Sequence, residues 1–411
     1  MANSFTLAFL LALLLMLALR QWLSRRQLAH VAAHRDQVPA QFAERIDLAA
    51  HQKAADYTLA KTRFGRFGLA LETVLLLGFT FGGGLQALHE FWTAYTDGLT
   101  YGVALIFSVM LISAALELPL SLYAQFRIEE RFGFNRMTYG LFFSDLAKQT
   151  LIGFLIGTPL LYAVLWLMSR MGDLWWLYVW LLWCTFNLLI LFIYPTWIAP
   201  LFNKFTPLAE AELKARIEAL LARCGFSSAG LFVMDGSKRS NHGNAYFTGF
   251  GRNKRIVFFD TLLGRLQASE VEAVLAHELG HFKRHHIVKR VALLFTATLA
   301  FLAILGQLIN LPGFYTGLGV EAQNTAMALI LFFLIAPAFT FPLSPLTSML
   351  SRRHEYEADA YAAEQTSAAD LAHALVKLYE DNAATLTPDP IHSLFYDSHP
   401  PAALRVARLM P

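Results

Sequence analysis

Seven apolar runs constrain this chain more than any other feature, because each is long enough to cross a bilayer, which takes about 20 residues. They lie near residues 4–22, 67–92, 100–123, 149–169, 173–198, 288–311 and 324–347, the last interrupted by Pro337, Pro342 and Pro345. Composition agrees: 56% of residues are hydrophobic, 15% are charged, and the mean hydropathy is +0.45. That is too apolar for an ordinary globular domain and points to a mainly α, polytopic membrane protein. Glu72 and Glu117 fall inside the second and third runs. Carboxylates at such depth face protein or a water-filled cavity rather than lipid.

Charge sets the expected orientation. The flank MANSF carries no Lys or Arg, whereas Arg20, Arg25 and Arg26 come after the first run. This reverses the charge order of a signal peptide, so the run reads as a retained anchor with its N-terminus outside. With alternating spans, the outer segments are roughly 93–99, 170–172 and 312–323, and of 33 Lys and Arg only Arg170 lies there. The basic excess places 23–66, 124–148, 199–287 and 348–411 in the cytoplasm. The pI of 8.8 then requires no nucleic-acid partner. Cys184 and Cys224 have neither a disulfide partner nor a metal-like spacing and read as packing residues.

The chain divides into four segments: 1–198 with five spans and two cytoplasmic loops, a cytoplasmic segment 199–287, two further spans in 288–347, and a cytoplasmic C-terminal segment 348–411. The loop Ser24–Arg66 is polar and helix-prone, and RFGFNRMTYG (131–140) predicts a fixed turn through its two Gly and Asn135. GLFVMD (230–235) and RIVFFD (255–260) read as strands, with NAYFTGFGRN (244–253) an extended segment turning through Gly249 and Gly251. Ser269 and Glu272 form a Ser-x-x-Glu capping box ahead of AVLAHELGHF, a helix with Leu275, Leu279 and Phe282 on one face. A further helix is expected around Arg353–Glu364.

The chemistry concentrates in HELGHFKRHH (277–286). His277 and His281, four apart on a helix, project from one face and can share a metal ion. Glu278 can lean toward that ion without ligating it, which is the His-Glu-x-x-His arrangement of zinc peptidases with Glu as general base. Zinc lowers the pKa of bound water toward about 7. Chance would supply roughly 0.02 such matches in a chain of this composition. His285 and His286, among Lys283, Arg284, Lys289 and Arg290, read instead as a basic collar before the sixth run.

A catalytic zinc needs a third protein ligand. Arg284 and Ile287 stand where a metzincin would have Gly and His, so that route is closed. SRRHEYEADAYA (351–362) offers Glu355 as ligand, with Asp359 on the same face to fix a histidine tautomer and Glu357 pointing elsewhere. On spacing alone the pair reads equally well as a solvated helix face. YDSHPPAALRVARL (396–409) adds His399 and Arg405, which could stabilise an oxyanion or form a surface turn. Asn244–Phe250 is expected to bind substrate as an added strand, through Asn244, Ala245 and Tyr246, the other reading being an internal hairpin.

HELGH, EYEADAYA, NAYFTGFGRNKRIVFFDTLL and SHPPAALR, in that order, resemble the CAAX prenyl protease 1 (Ste24-type) integral-membrane zinc metallopeptidases of family M48. RFGFNRMTYGLFFSDL and HQKAADYTLAKTRFG extend the resemblance over nearly the whole chain. It implies about seven transmembrane helices forming a hollow chamber, with a small α+β, gluzincin-like protease domain at its cytoplasmic end. It implies His277, His281 and Glu355 as ligands of one Zn2+, Glu278 as base, Asp359 behind a ligand histidine, and His399 and Arg405 at the substrate or transition state. Such enzymes cut C-terminal tripeptides from prenylated CAAX proteins and also act on unprenylated or translocon-clogging proteins. The compact third loop is similar to that of a bacterial-type member in an inner (plasma) membrane. Two other readings remain: an HtpX-like quality-control protease, which has fewer spans, and a channel or receptor with structural zinc, which would need a fourth protein ligand.

Overall fold

The computed structural model describes residues 3–248 and 255–410. Its helices track the apolar runs but overshoot them into the loops. α1 (Ser4–Ala33) starts on Asn3, whose side chain accepts from the Thr6 N–H at 2.9 Å. α2 (Leu48–Phe79), capped by Asp47, crosses the polar loop before turning apolar. It stops in GFTFGGG (78–84), where Gly83 adopts φ +75°, and α3 (Gly84–Thr93) departs at 52° to it. The run 67–92 is therefore a bent pair. Among the described residues six helices are long and apolar enough to span a membrane, and seven if this pair counts as one.

α4 (Gly98–Tyr123), α5 (Tyr139–Arg170) and α6 (Trp175–Ile193) complete the N-terminal set. A seam of Phe9, Leu13, Leu105, Leu165, Leu305 and Leu331 is buried, while Phe67, Val74, Leu155, Phe192 and Trp197 stay exposed, as a lipid-facing surface requires. Glu72 and Glu117 line one cavity of about 240 Å³, where Arg20 Nη1 donates to Glu72 at 2.8 Å.

The turn in RFGFNRMTYG is fixed as expected: the Asn135 side chain accepts from the Met137 N–H at 2.9 Å, and Gly133 has φ +80°. This loop docks on residues 239–241, with Arg136 N–H donating to Arg239 O and Asn241 N–H to Phe134 O, each at 3.1 Å.

Next come β1 (Phe205–Pro207), α7 (Ala211–Arg223), β2 (Gly230–Met234), β3 (Ala245–Thr248) and β4 (Arg255–Phe259), with sheet order β1-β2-β4-β3. β2 and β4 are parallel and the outer pairings antiparallel, so β3 is an edge strand. Gly249 and Gly251 lie outside the described residues. Leu213, Ile217 and Leu220 of α7 pack with Ile256 and Phe258 of β4 under α9 (Ala268–Lys283), which comes after a single turn, α8 (Asp260–Leu263). Leu275 and Leu279 are buried there, and the Phe282 ring packs 5.1 Å from that of Phe247, tilted by 60°.

The cap of α9 is Gln267, two residues earlier than the expected Ser269. Glu270 accepts from the Gln267 N–H at 2.7 Å, while Glu272 pairs with Arg216 at 2.6 Å and Arg223 at 3.2 Å. The chain re-enters the apolar layer as α10 (His286–Leu308), turns through α11 (Pro312–Thr316) and returns as α12 (Thr325–Thr340). α13 (Ser344–Gln365) continues α12 after a tight turn at 341–343, with Pro345 in its first turn where no N–H is needed. α14 (Ala368–Asp381), α15 (Pro390–Tyr396) and α16 (Ala402–Leu409) close the domain. Cys184 and Cys224 are free.

Candidate metal centre and substrate cleft

The site forms where extensions of two apolar helices cross, α9 leading into α10 and α13 leading out of α12. Gly280 and Ala358, both small, let the two backbones touch at the crossing. His277 and His281 lie one turn apart on α9, with Nε2 atoms 3.3 Å apart. Each is 3.4 Å from one Glu355 oxygen, His277 from Oε2 and His281 from Oε1. One ligand atom from each of the three residues lies within 4.8 Å of the others.

Two observations fit this cluster to a metal cation. Glu355 Oε2 is buried without a hydrogen-bond partner, a costly state for a carboxylate unless a cation faces it. Burial alone would lower the His277 imidazole, yet the Asp359 and Glu355 carboxylates beside it lift it to about 9, so the pocket demands positive charge. Asp359 Oδ1 accepts from His277 Nδ1 at 2.8 Å, which leaves the Nε2 lone pair facing the cluster.

Arg405, buried on α16, grips Asp359 through Nε at 2.8 Å and Nη2 at 2.6 Å. Its Nη2 also lies 3.5 Å from His277 Nδ1, and its Nη1 lies 3.9 Å from Glu355 Oε2. His399 Nε2 lies 3.6 Å from Glu355 Oε1 on a largely exposed side chain. Burial pushes the Glu278 carboxyl up from its usual range, which makes it a stronger base.

A cavity of about 320 Å³ gathers Asn244, Ala245, His277, Glu278, Glu355, His399 and Arg405. Tyr246 is not among them. Its ring faces the other side of the sheet, edge-on to Phe259 at 6.2 Å, because neighbouring strand residues point to opposite faces.

Three residues with no motif of their own also shape the site. Tyr379 and Asn382 line the cavity from the C-terminal end of α14, and Tyr379 donates to Pro400 O at 3.1 Å. The third is His286, and the expectation of a basic collar fails for it. Lys283, Arg284, His285, Lys289 and Arg290 are exposed, but His286 is buried, with Nδ1 2.9 Å from His281 Nδ1 and Nε2 3.0 Å from Glu357. The cause is His285, whose left-handed φ of 56° breaks α9 from α10 and folds residue 286 back under His281. No spacing rule announces that break.

A bundle of membrane-length helices carrying a His-Glu-x-x-His helix, completed by a Glu from a second helix, defines an integral-membrane metallopeptidase. A family model described as the CAAX prenyl protease N-terminal region, with five membrane helices, matches residues 27–204, and that of peptidase family M48 matches 207–410. CAAX prenyl protease 1 of Saccharomyces cerevisiae and the CAAX prenyl protease 1 homolog of Homo sapiens are each 34% identical over 90% of this chain and 88% of their own. The crystal structure of S. mikatae Ste24p matches with a TM-score of 0.91 and 31% identity, covering 99% of both chains. The chain belongs to the CAAX prenyl protease 1 family of M48 peptidases and is a multi-pass membrane metalloendopeptidase.

Proposed function

We propose that this chain is a zinc endopeptidase that cuts near the C-terminus of CAAX-type or other membrane-associated proteins, prenylated or not. The observation that carries the metal is the donor spacing. Ligands about 2.0–2.1 Å from a tetrahedral zinc stand about 3.3 Å apart; the two imidazole Nε2 atoms here are 3.3 Å apart, and each has a different Glu355 oxygen at 3.4 Å. Among the described residues the cluster offers three donors, which leaves a position open and separates this reading from closed, structural zinc. Zinc bound there would acidify a water and polarise the scissile carbonyl.

The chain's own residues do the rest. Glu278 accepts the proton of water as its oxygen attacks the carbonyl carbon, then delivers that proton to the departing amide nitrogen. Asp359, itself held by Arg405, keeps the His277 proton on Nδ1. Arg405 Nη1 and His399 offer positive charge and N–H groups to the developing oxyanion. The peptide lies along β3 as an added strand, because β3 pairs only with β4 among the described residues and its start lines the cavity.

Six or seven spans favour this reading over an HtpX-like one. The CAAX substrate class comes from the relatives' names, the basic-residue bias faces the zinc centre to the cytoplasm, and the compact third loop supports an inner (plasma) membrane. Glu321→Cys on a cysteine-free background should be labelled only from outside. Purified protein incubated with a prenylated CAAX peptide and its unprenylated twin, with and without a chelator, tests the activity. Chelator-sensitive cleavage supports it, and cleavage indifferent to chelator contradicts it.

A further inference from the structure

We infer that His286 and Glu357 are positioning residues that fix the tautomer and ring plane of His281, an inference that rests on His281 being a metal ligand. Each link runs one way only. The Glu357 carboxylate has only acceptors, so His286 Nε2, 3.0 Å away, carries a proton and donates. In a neutral imidazole the other nitrogen is then a lone pair, so His286 Nδ1 accepts from His281 Nδ1 at 2.9 Å. His281 Nε2 is left bare. That is the atom 3.3 Å from His277 Nε2 and 3.4 Å from Glu355 Oε1.

The two candidate histidine ligands thus receive the same instruction by different routes. Asp359 acts on His277 directly, at 2.8 Å. Glu357 acts on His281 through a second imidazole. α13 therefore flanks both ring nitrogens of His281, with Glu355 beside the bare Nε2 and Glu357, through His286, fixing Nδ1. The intermediate ring is itself fixed: His286 is 1% exposed and stacks on His354 at 4.0 Å and 13°. Arg353 Nε steadies Glu357 at 3.1 Å from solvent, outside the relay.

The test uses the full-length purified protein with zinc and Co2+ as probes. Metal affinity is read by competition with a chromophoric chelator, geometry by the visible bands of the Co2+ form, and folding by the melting temperature of the metal-free protein. His286→Phe should weaken metal binding about 10–100-fold and shift the Co2+ bands with little change in metal-free melting. His286→Gln, which keeps one acceptor and one donor, should recover most of the loss. Glu357→Ala should weaken binding in the same direction, and Arg353→Ala should leave it within about twofold. If His286→Phe does not fold, Glu357→Ala decides alone. Wild-type affinity and wild-type Co2+ bands in folded His286→Phe or Glu357→Ala would overturn the relay. Failure of the ligand set shows separately, as metal retained by Glu355→Ala.

Discussion

A Cβ placed on Gly280 would fall 2.9 Å from the Cα of Ala358, so the helices that supply the metal donors meet backbone to backbone. This contact sets the reach of Glu355 and Asp359 toward His277. Gly280→Ala must push α13 away, since neither backbone can yield like a flexible side chain. The expected cost is about 1–3 kcal/mol. Metal content and cleavage should fall together, as elemental analysis and peptide assay on the folded fraction would register. Full metal content in Gly280→Ala would show that the crossing is not what spaces the donors.

The lead into β3 is held by the membrane-side helix α5. Arg239 donates to the buried Asp145 at 2.8 and 3.1 Å, and to Asn203 Oδ1 and Phe202 O at 2.8 and 2.7 Å. Asp145→Ala leaves a mostly buried guanidinium without its counter-charge. A loss of about 3 kcal/mol is expected, the low end for a broken buried pair because two hydrogen bonds remain. KM should rise more than kcat falls, because the displaced segment carries the peptide-binding edge rather than the zinc helix. A pure kcat effect in steady-state kinetics would contradict that assignment.

Ala245→Pro tests the edge strand itself. Asn244 O, not Ala245 N–H, bonds to β4, so proline at this edge leaves the sheet's own pairing intact. It removes an N–H that donates to the Asn244 side-chain oxygen at 2.8 Å and that a paired peptide would take over. Cleavage efficiency should fall about tenfold, the equivalent of one main-chain hydrogen bond. Unchanged cleavage by folded Ala245→Pro would mean that the peptide does not pair here.

Features with a fixed period were legible in the sequence. His277 with His281, and Glu355 with Asp359, repeat every four residues on helices, and the structure brings both pairs to one cluster. The two strands read from β-branched and aromatic content, 230–235 and 255–260, fell within a residue of β2 and β4, whereas the three-residue β1 gave no such signal. Tyr246 failed on the same rule, because a period of two cannot send Ala245 and Tyr246 into one cavity. The bend after Phe79 had a visible signal in three consecutive glycines, masked by the apolar run around it. The cap of α9 was ambiguous, because Gln267–Glu270 and Ser269–Glu272 share the same spacing and only Arg216 and Arg223 settle which Glu is free. His286 and Tyr379 were illegible, since their roles depend on a left-handed break at His285 and on packing across about a hundred residues of chain.

The mechanism stands most directly on the division of labour between Glu278 and Glu355. Metal content by elemental analysis, read beside cleavage of the same peptide, separates them. Glu278→Gln should keep about one zinc per chain and lose cleavage to background, because water loses its proton acceptor while the three donors stay in place. Glu355→Ala should lose metal and cleavage together, and Asp359→Asn should weaken zinc on the order of 10–100-fold. Persistent cleavage by Glu278→Gln, or one zinc per chain in Glu355→Ala, would contradict the mechanism.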